Sequence, residues 1–377
     1  MTLDSLRPFL GDIDAMLTEV QLGRSSYVCP ALTNLGGISL VLLREVVAPV
    51  LFRGADPEIS DMMLTAGHGA SRRMERHVFA RANKFTYAER RRGLHILRSL
   101  GCGGTMPQNK SAVPNDKSPG DVFDLNTLVF GDSASLFEKG KERVLPVKRA
   151  VMYGSAISVQ RYEDSTDSAF HNRATESGVL FNDETKKNSD NIFSRHWITP
   201  GTILVQTLSS RGRLLPMEGL RHLLLCLGEA GTYGGQTSLS GTNIRTHVVG
   251  VYASVVERAN TVPEEIVKVI RDQGLDGLPA IRAAVDAEAR PGHELVIPGA
   301  AVEAEIDRLQ TALAAKDPTL AESYRHAATR TKALFDAWFV RPPKKDDKTE
   351  GSGAEDGKAE AGKTKGRGRK AAATAEA

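Results

Sequence analysis

The sequence predicts an α+β fold, and three observations carry that prediction. Four apolar, β-branched runs and two amphipathic helical runs follow one another in the order β, α, β, β, α, β. Long excursions rich in Gly, Pro and charge separate them. From residue 257 to residue 340 the apolar residues recur at helical spacing instead.

The first strand is "GGISLVLLREVVAPVLF" (36–52), interrupted at Pro49, which cannot donate to a ladder. The helix "TYAERRRGLHILRSLG" follows a polar, basic stretch. Thr86 is its predicted N-cap, Glu89 completes a capping box, and Gly101 stops it. Residues 101–146 read as an irregular insertion, so 53–146 holds insertions and this basic helix. "VKRAVMYGSAISVQRY" (147–162) is the second strand and "GTILVQTLSS" (201–210) the third. Pro216 opens the helix "PMEGLRHLLLCLGEA" at a favoured first position, and residues 243–256 form the last strand. This is the split βαβ, or ferredoxin-like, pattern of RNA-recognition modules and many enzymes. Fold alone therefore assigns no activity. RNA-recognition modules stack bases on exposed aromatics of a central strand, and here only Tyr153 is available.

After this core (1–256), "PEEIVKVIRDQG", "LPAIRAAVDAEAR", "AAVEAEIDRLQTALAA" and "TLAESYRHAATRTKALFDAWFV" predict a packed helical annex over 257–340. Residues 341–377 lack apolar periodicity and read as a disordered tail, with "KTKGRGRK" a nucleic-acid-binding candidate. That tail carries ten Lys/Arg and seven Asp/Glu. Taken from totals of 49 and 46, it leaves a body balanced at 39 of each. Any polyanion site must then be a local patch. Residues 71–98 supply one, with nine Lys/Arg against two acids, and guanidinium groups match phosphate bidentately.

Enzyme chemistry finds little support. No HxH, HExxH or P-loop spacing occurs, and Cys29, Cys102 and Cys226 are too scattered for a disulfide framework or a zinc site. No metal and no cofactor is expected. Asp56 and Asp61, beyond the first strand, are the candidates for holding Mg²⁺ in a catalytic reading. The chain begins with no basic-plus-apolar signal and has no membrane-length apolar run, so it reads as cytoplasmic, with no membrane partner.

Two connectors stand out. Residues 163–200 mix Phe170, Phe181, Ile192, Phe193 and Trp197 with Asn, Arg and His, a composition that predicts a β-hairpin arm. Residues 231–243 replace apolar residues by Gly, Ser, Thr and Tyr, so that bare backbone is presented to a polyanion.

Three segments together resemble the backbone subunits of subtype I-D CRISPR complexes, the Csc2/Cas7 group of the RAMP superfamily. They are "AERRRGLHILRSLG", "RAVMYGSAISVQRYED…HNRATESGVLFNDET" leading into "ITPGTILVQTL", and "YGGQTSLSGTNIRTHVVGVYAS". The resemblance spans about 36–256. It implies a modified ferredoxin-like, RRM-like palm with a thumb hairpin and insertions, polymerising along a guide crRNA in a Cascade. The thumb would be 163–200, with Phe181, Asn182, Arg195, His196 and Trp197 at the nucleic acid.

Guide contacts implied on the basic side are Arg53, Arg72, Arg73, Lys84, Arg90, Arg91 and Arg92, joined by Asn172 and Arg173. On the glycine loop they are Tyr233, Gly234, Gly235, Gln236, Thr237, Thr242 and Arg245, with RNA leaving no room for side chains at Gly234 and Gly235. Implied partners are crRNA, target DNA or RNA, further copies of the chain, and the large, cap and small subunits. Some relatives carry a cysteine-rich zinc element before the second strand, where this chain keeps only Cys102. Two alternatives stay open: a metal-dependent RAMP nuclease, and a ferredoxin-like RNA-binding protein outside CRISPR.

Overall fold

A computed structural model describes residues 2–22, 36–52, 59–67, 69–104, 111–112, 117–138, 141–172, 181–182, 187–188, 192–210, 212–235 and 241–339. The statements below concern these residues. In the first part of the chain the labelled elements are α1 (Ile13–Leu22), β1 (Gly37–Val46), β2 (Asp61–Ala66), β3 (Arg73–Ala80), α2 (Asn83–Ser99) and α3 (Leu125–Phe130). The middle holds β4 (Ala156–Arg161), β5 (Thr166–Asn172), β6 (Ile192–Ile198), β7 (Ile203–Ser210), α4 (Met217–Glu229) and β8 (Ile244–Ser254). Then come α5 (Pro263–Gln273), α6 (Leu278–Ala289), β9 (Leu295–Pro298), α7 (Gly299–Ala314) and α8 (Pro318–Phe339).

The main sheet runs β9-β8-β1-β7-β4-β3-β2, and Val151–Tyr153 adds an eighth strand on β7. Of the four strands expected from sequence, the order is fourth, first, third, second, and each neighbouring pair is antiparallel. Central β1 is buried on both faces, which is why it reads as a continuous apolar run. Leu40 and Leu42 meet Phe85 and Leu97 of α2 and Leu224 of α4. Val41 and Leu43 meet Ile266 and Ile270 of α5 and Val285 of α6 on the other side. Each such fully buried side chain contributes roughly 1.5–3 kcal/mol. The face that RNA-recognition modules leave open is thus covered by α5 and α6. Tyr153 is buried and donates to Glu89, so base stacking on this sheet is ruled out here.

Several local readings need correction. Residues 73–80 form a strand, β3, that pairs with both β2 and β4. Helix α2 starts at Asn83 rather than Thr86, whose hydroxyl bonds back to the Ala82 carbonyl from inside the first turns. The insertion is less irregular than its composition suggests. Strands Asp132–Glu138 and Lys141–Val147 pair antiparallel, Ser111–Ala112 joins the first of them, and α3 precedes.

Two buried polar contacts fix the helices. His222 of α4 lies between the Tyr324 hydroxyl of α8 and the Asn126 side-chain oxygen of α3, at 3.1 Å from each. Burial holds its pKa down at about 3, so it is neutral. Gly93 of α2 sits directly over this pair, and a Cβ there would strike the Asn126 oxygen. On the opposite face Glu75 of β3 receives both Arg271 Nε and Nη2 of α5, at 2.9 and 3.2 Å. The Arg271 bond, opposed by burial and reinforced by Arg73, holds the Glu75 pKa at about 2.

Connector 163–200 contains a two-stranded antiparallel ribbon, β5 with β6, registered from Thr166↔Ile198 to Asn172↔Ile192. Its base is tied to the core where β1 ends. Ile198 and Val50 exchange backbone hydrogen bonds, and Thr199 N–H donates to Ser165 O. A shorter pairing joins Phe181–Asn182 to Lys187–Asn188.

Candidate nucleic-acid interface

The glycine loop connects α4 to β8 and lies at the sheet end where β1 finishes and β7 and β8 begin, since Glu45 faces both Ile203 and Arg245 across the ladder. Its two stems are clamped together. Asn243 accepts the Tyr233 backbone N–H through its side-chain oxygen and donates its amide to the Tyr233 carbonyl, both at 2.9 Å. Gly235 N–H bonds to the Leu51 carbonyl at 3.0 Å. The near stem, up to Gly235, is therefore held against the segment that follows β1.

Beneath it lies a buried charged hub that the sequence reading missed. Arg44 points from β1 toward α2 with no exposed surface, and its Nη2 is 2.8 Å from Glu89 Oε1, equally buried. Its Nε donates to Gln206 Oε1 at 3.0 Å and its Nη1 to Thr246 Oγ1 at 2.7 Å. The guanidinium lies 5.0 Å from the Phe85 ring centre. Glu89 also receives the hydroxyls of Tyr153, at 2.5 Å, and Tyr233, at 3.0 Å. Burial and the Glu89 charge both push the two phenols' pKa values up, so they remain donors. For Arg44, burial opposes the charged form, yet the nearby Glu89 outweighs it and the pKa is raised. The hub ties β1, β7, β8, α2 and the loop stem to one point. Its signal was a lone arginine in "SLVLLREVV" and a lone acid in "AERRRG". The capping-box reading concealed the second: Glu89 meets Arg44, not a helix end.

Tyr233, a candidate RNA contact, is thus a buried anchor, 1% exposed. Gly234 adopts φ +81°, and a Cβ there would collide with the Leu51 carbonyl, so its own fold requires glycine. Around Gly235 nothing lies within 4 Å of the Cβ direction. Among the described residues, only the second of the two glycines has its side-chain space unfilled. Thr242 and Arg245 are exposed on the far stem, and Arg245 is 3.2 Å from Glu45. They border a cleft of about 540 Å³ that runs between the loop and α7, past His247, Glu303 and Asp307.

On α2, Arg91 and Arg92 are exposed, whereas Arg90 turns inward to Asp132 at 2.8 Å. Lys84 lies in the first turn, half-buried. Arg72 and Arg73 are exposed where β3 begins, with Arg73 on Glu75 at 2.8 Å. Arg195, His196 and Trp197 lie on β6 and are half-buried. Asn172, Phe181 and Asn182 lie on the ribbon pairings. Arg53, Asp56, Arg173, Gln236 and Thr237 fall outside the described residues. Asp61 is engaged by Arg76 at 2.7 Å, and that arginine also stacks on Tyr162 at 3.9 Å. Among the described residues no group of three or more His, Cys, Asp or Glu could hold a metal, and no helix is long and apolar enough to cross a membrane.

The Csc2 Crispr family model matches residues 30–270, well over half of the chain. Among solved structures, the crystal structure of Thermofilum pendens Csc2 is similar in fold. The TM-score is 0.55 at 16% identity, covering 88% of this chain and 94% of that one. A chain of a CRISPR RNA-guided surveillance complex is more distant, at TM-score 0.36 and 10% identity over 74% and 85%. One from a type IV-B CRISPR complex gives 0.35 and 14% over 63% and 100%. Among curated proteins none matches.

Proposed function

The chain belongs to the Csc2 CRISPR family, and from that premise we propose that it is a backbone subunit of a type I-D Cascade. It binds guide crRNA along the sugar-phosphate backbone, polymerises on it with copies of itself, and supports target DNA recognition in antiviral defence. The large, cap and small subunits complete the assembly.

The observation that carries this reading is the convergence at one sheet end. A clamped glycine loop with open space at Gly235, the exposed Arg245 and the base of a two-stranded ribbon all meet there. An exposed cation beside a glycine that leaves room for a strand suits phosphate, which positions a strand without reading its bases. The strand order fourth-first-third-second supports a ferredoxin-like palm, with 163–200 as the thumb and 257–340 as an annex that closes the sheet. Of the two acids a cutting subunit would use, Asp61 is already engaged by Arg76 and Asp56 lies outside the described residues, so the reading rests on binding.

Fluorescence anisotropy with two labelled single-stranded RNAs of unrelated sequence tests it. Both should bind with similar affinity, and log affinity should fall linearly with log salt. Binding that ignores salt, or that selects one sequence strongly, overturns the proposal.

A further inference from the structure

Helix α2 turns one face to the core and leaves the other bare. Phe85, Glu89, Gly93, Ile96 and Leu97 are buried. Lys84, Tyr87, Arg91, His95 and Arg98 recur at intervals of three and four, which places them along one stripe of the outer surface. The stripe covers about 21 Å at the helical rise per residue. No acid interrupts it, because the helix's only carboxylate, Glu89, is turned inward to Arg44. Arg91 and Arg92, beside one another, have no ion-pair partner among the described residues. The positive field is felt by His95, whose pKa is lowered by burial and then by Arg91, Arg92 and Arg98. Within this row stands one aromatic, Tyr87, 71% exposed.

A single exposed tyrosine needs no explanation, and a solvated arginine face is common. Together they form a surface with a distinct chemistry: cations spaced for phosphates and a free ring among them. A duplex keeps its bases stacked inside and can use only the cations. A single strand can use both, since base stacking on an aromatic tolerates any sequence. The helix that carries the stripe is anchored to the stem of the glycine loop through its opposite, buried face, where Phe85 packs on the Tyr233 ring at 5.6 Å.

We propose that the outer face of α2 extends the single-strand path away from the glycine loop, with Tyr87 stacking on an unpaired base and Arg91 and Arg92 on adjacent phosphates. This rests on the RNA-binding reading above. Neither contact is with the loop itself, so the two surfaces can be separated by mutation.

The test compares the full-length protein with Tyr87→Ala, Tyr87→Phe and Arg91→Gln/Arg92→Gln, on a labelled single-stranded RNA and on the same sequence as a duplex. Tyr87→Ala should weaken single-strand binding roughly 5- to 150-fold, with an unchanged salt slope and unchanged duplex binding. Tyr87→Phe should restore it. The arginine pair should make the salt slope shallower by about 1.4, or roughly 0.7 for each phosphate lost. Tyr87→Ala binding as tightly as the parent overturns the proposal, and so does a change confined to sedimentation, which would place the ring against another protein. A parent that binds no RNA overturns the functional reading, and this inference with it.

Discussion

Replacing Glu89 by Gln isolates the buried hub without changing its shape. Arg44 and Glu89 are fully buried and 2.8 Å apart, so the substitution strands a guanidinium charge where water cannot reach. Breaking such a pair costs about 3–5 kcal/mol, mostly as the penalty of the charge left behind. The Tyr153 and Tyr233 hydroxyls lose an ionised acceptor, which favours the upper end of that range. For a unit this large the melting temperature should fall by about 6–10 °C, at roughly 2 °C per kcal/mol. Urea unfolding gives the free energy directly, and an unchanged m-value would show that the folded state keeps its extent. Arg44→Met combined with Glu89→Leu should be less destabilising than Glu89→Gln alone, because no charge is then orphaned. Because Tyr233 anchors the loop stem, amide exchange at Gly234 and Gly235 should quicken in Glu89→Gln while α5 stays protected. A loss below about 1 kcal/mol would refute the reasoning, since only a solvated pair is worth so little.

Other consequences are independent of the hub. His222 resists protonation in the folded state, with its pKa lowered from 6.5 to about 3. The unfolded chain therefore binds the extra proton as pH drops below 6.5, and stability should fall by roughly 1.4 kcal/mol per unit down to about pH 3. His222→Gln should reduce the stability difference between pH 7 and pH 5 by about 2 kcal/mol, and an unaltered difference argues against a neutral buried imidazole. Glu75, with its pKa depressed to about 2 from 4.5, contributes above pH 4.5 and loses that contribution as pH falls toward 2. Glu75→Gln should cost on the order of 3 kcal/mol at pH 7 and clearly less at pH 3; an equal cost at both would contradict the Arg271 pairing. Gly93→Ala should destabilise by about 1–3 kcal/mol through overpacking on Asn126, read from urea midpoints. Gly234→Ala should lower the melting temperature whereas Gly235→Val should not; if RNA occupies the space at Gly235, the valine weakens binding alone.

Periodic segments of the core were legible because each buries a face of its own. "GTILVQTLSS" and "MEGLRHLLLCLGE" needed only alternation or helical spacing to be read. The β2–β3 hairpin was not legible. An edge pair exposes half its side chains, and its outward Arg72, Arg73 and Met74 imitate a solvated basic run. Glu89 misled for a related reason: "T-x-x-E" is a local pattern, while the acid's partner lies 45 positions earlier on β1. The glycine loop was half legible. Composition marked it as exposed backbone, yet Tyr233, which looks like a stacking residue, serves as a buried peg. Likewise Tyr87, passed over inside a basic string, becomes visible once the helix phase is known.

The central claim is that RNA lies against the sheet end formed by the glycine loop and the ribbon base. Photocrosslinking a single-stranded RNA containing 4-thiouridine to the full-length protein, followed by mass spectrometry of the peptides, measures this directly. Crosslinks should concentrate in residues 231–245 and in the 163–200 connector. If they fell instead on α5 and α6, which cover the opposite face of the sheet, the account would be contradicted.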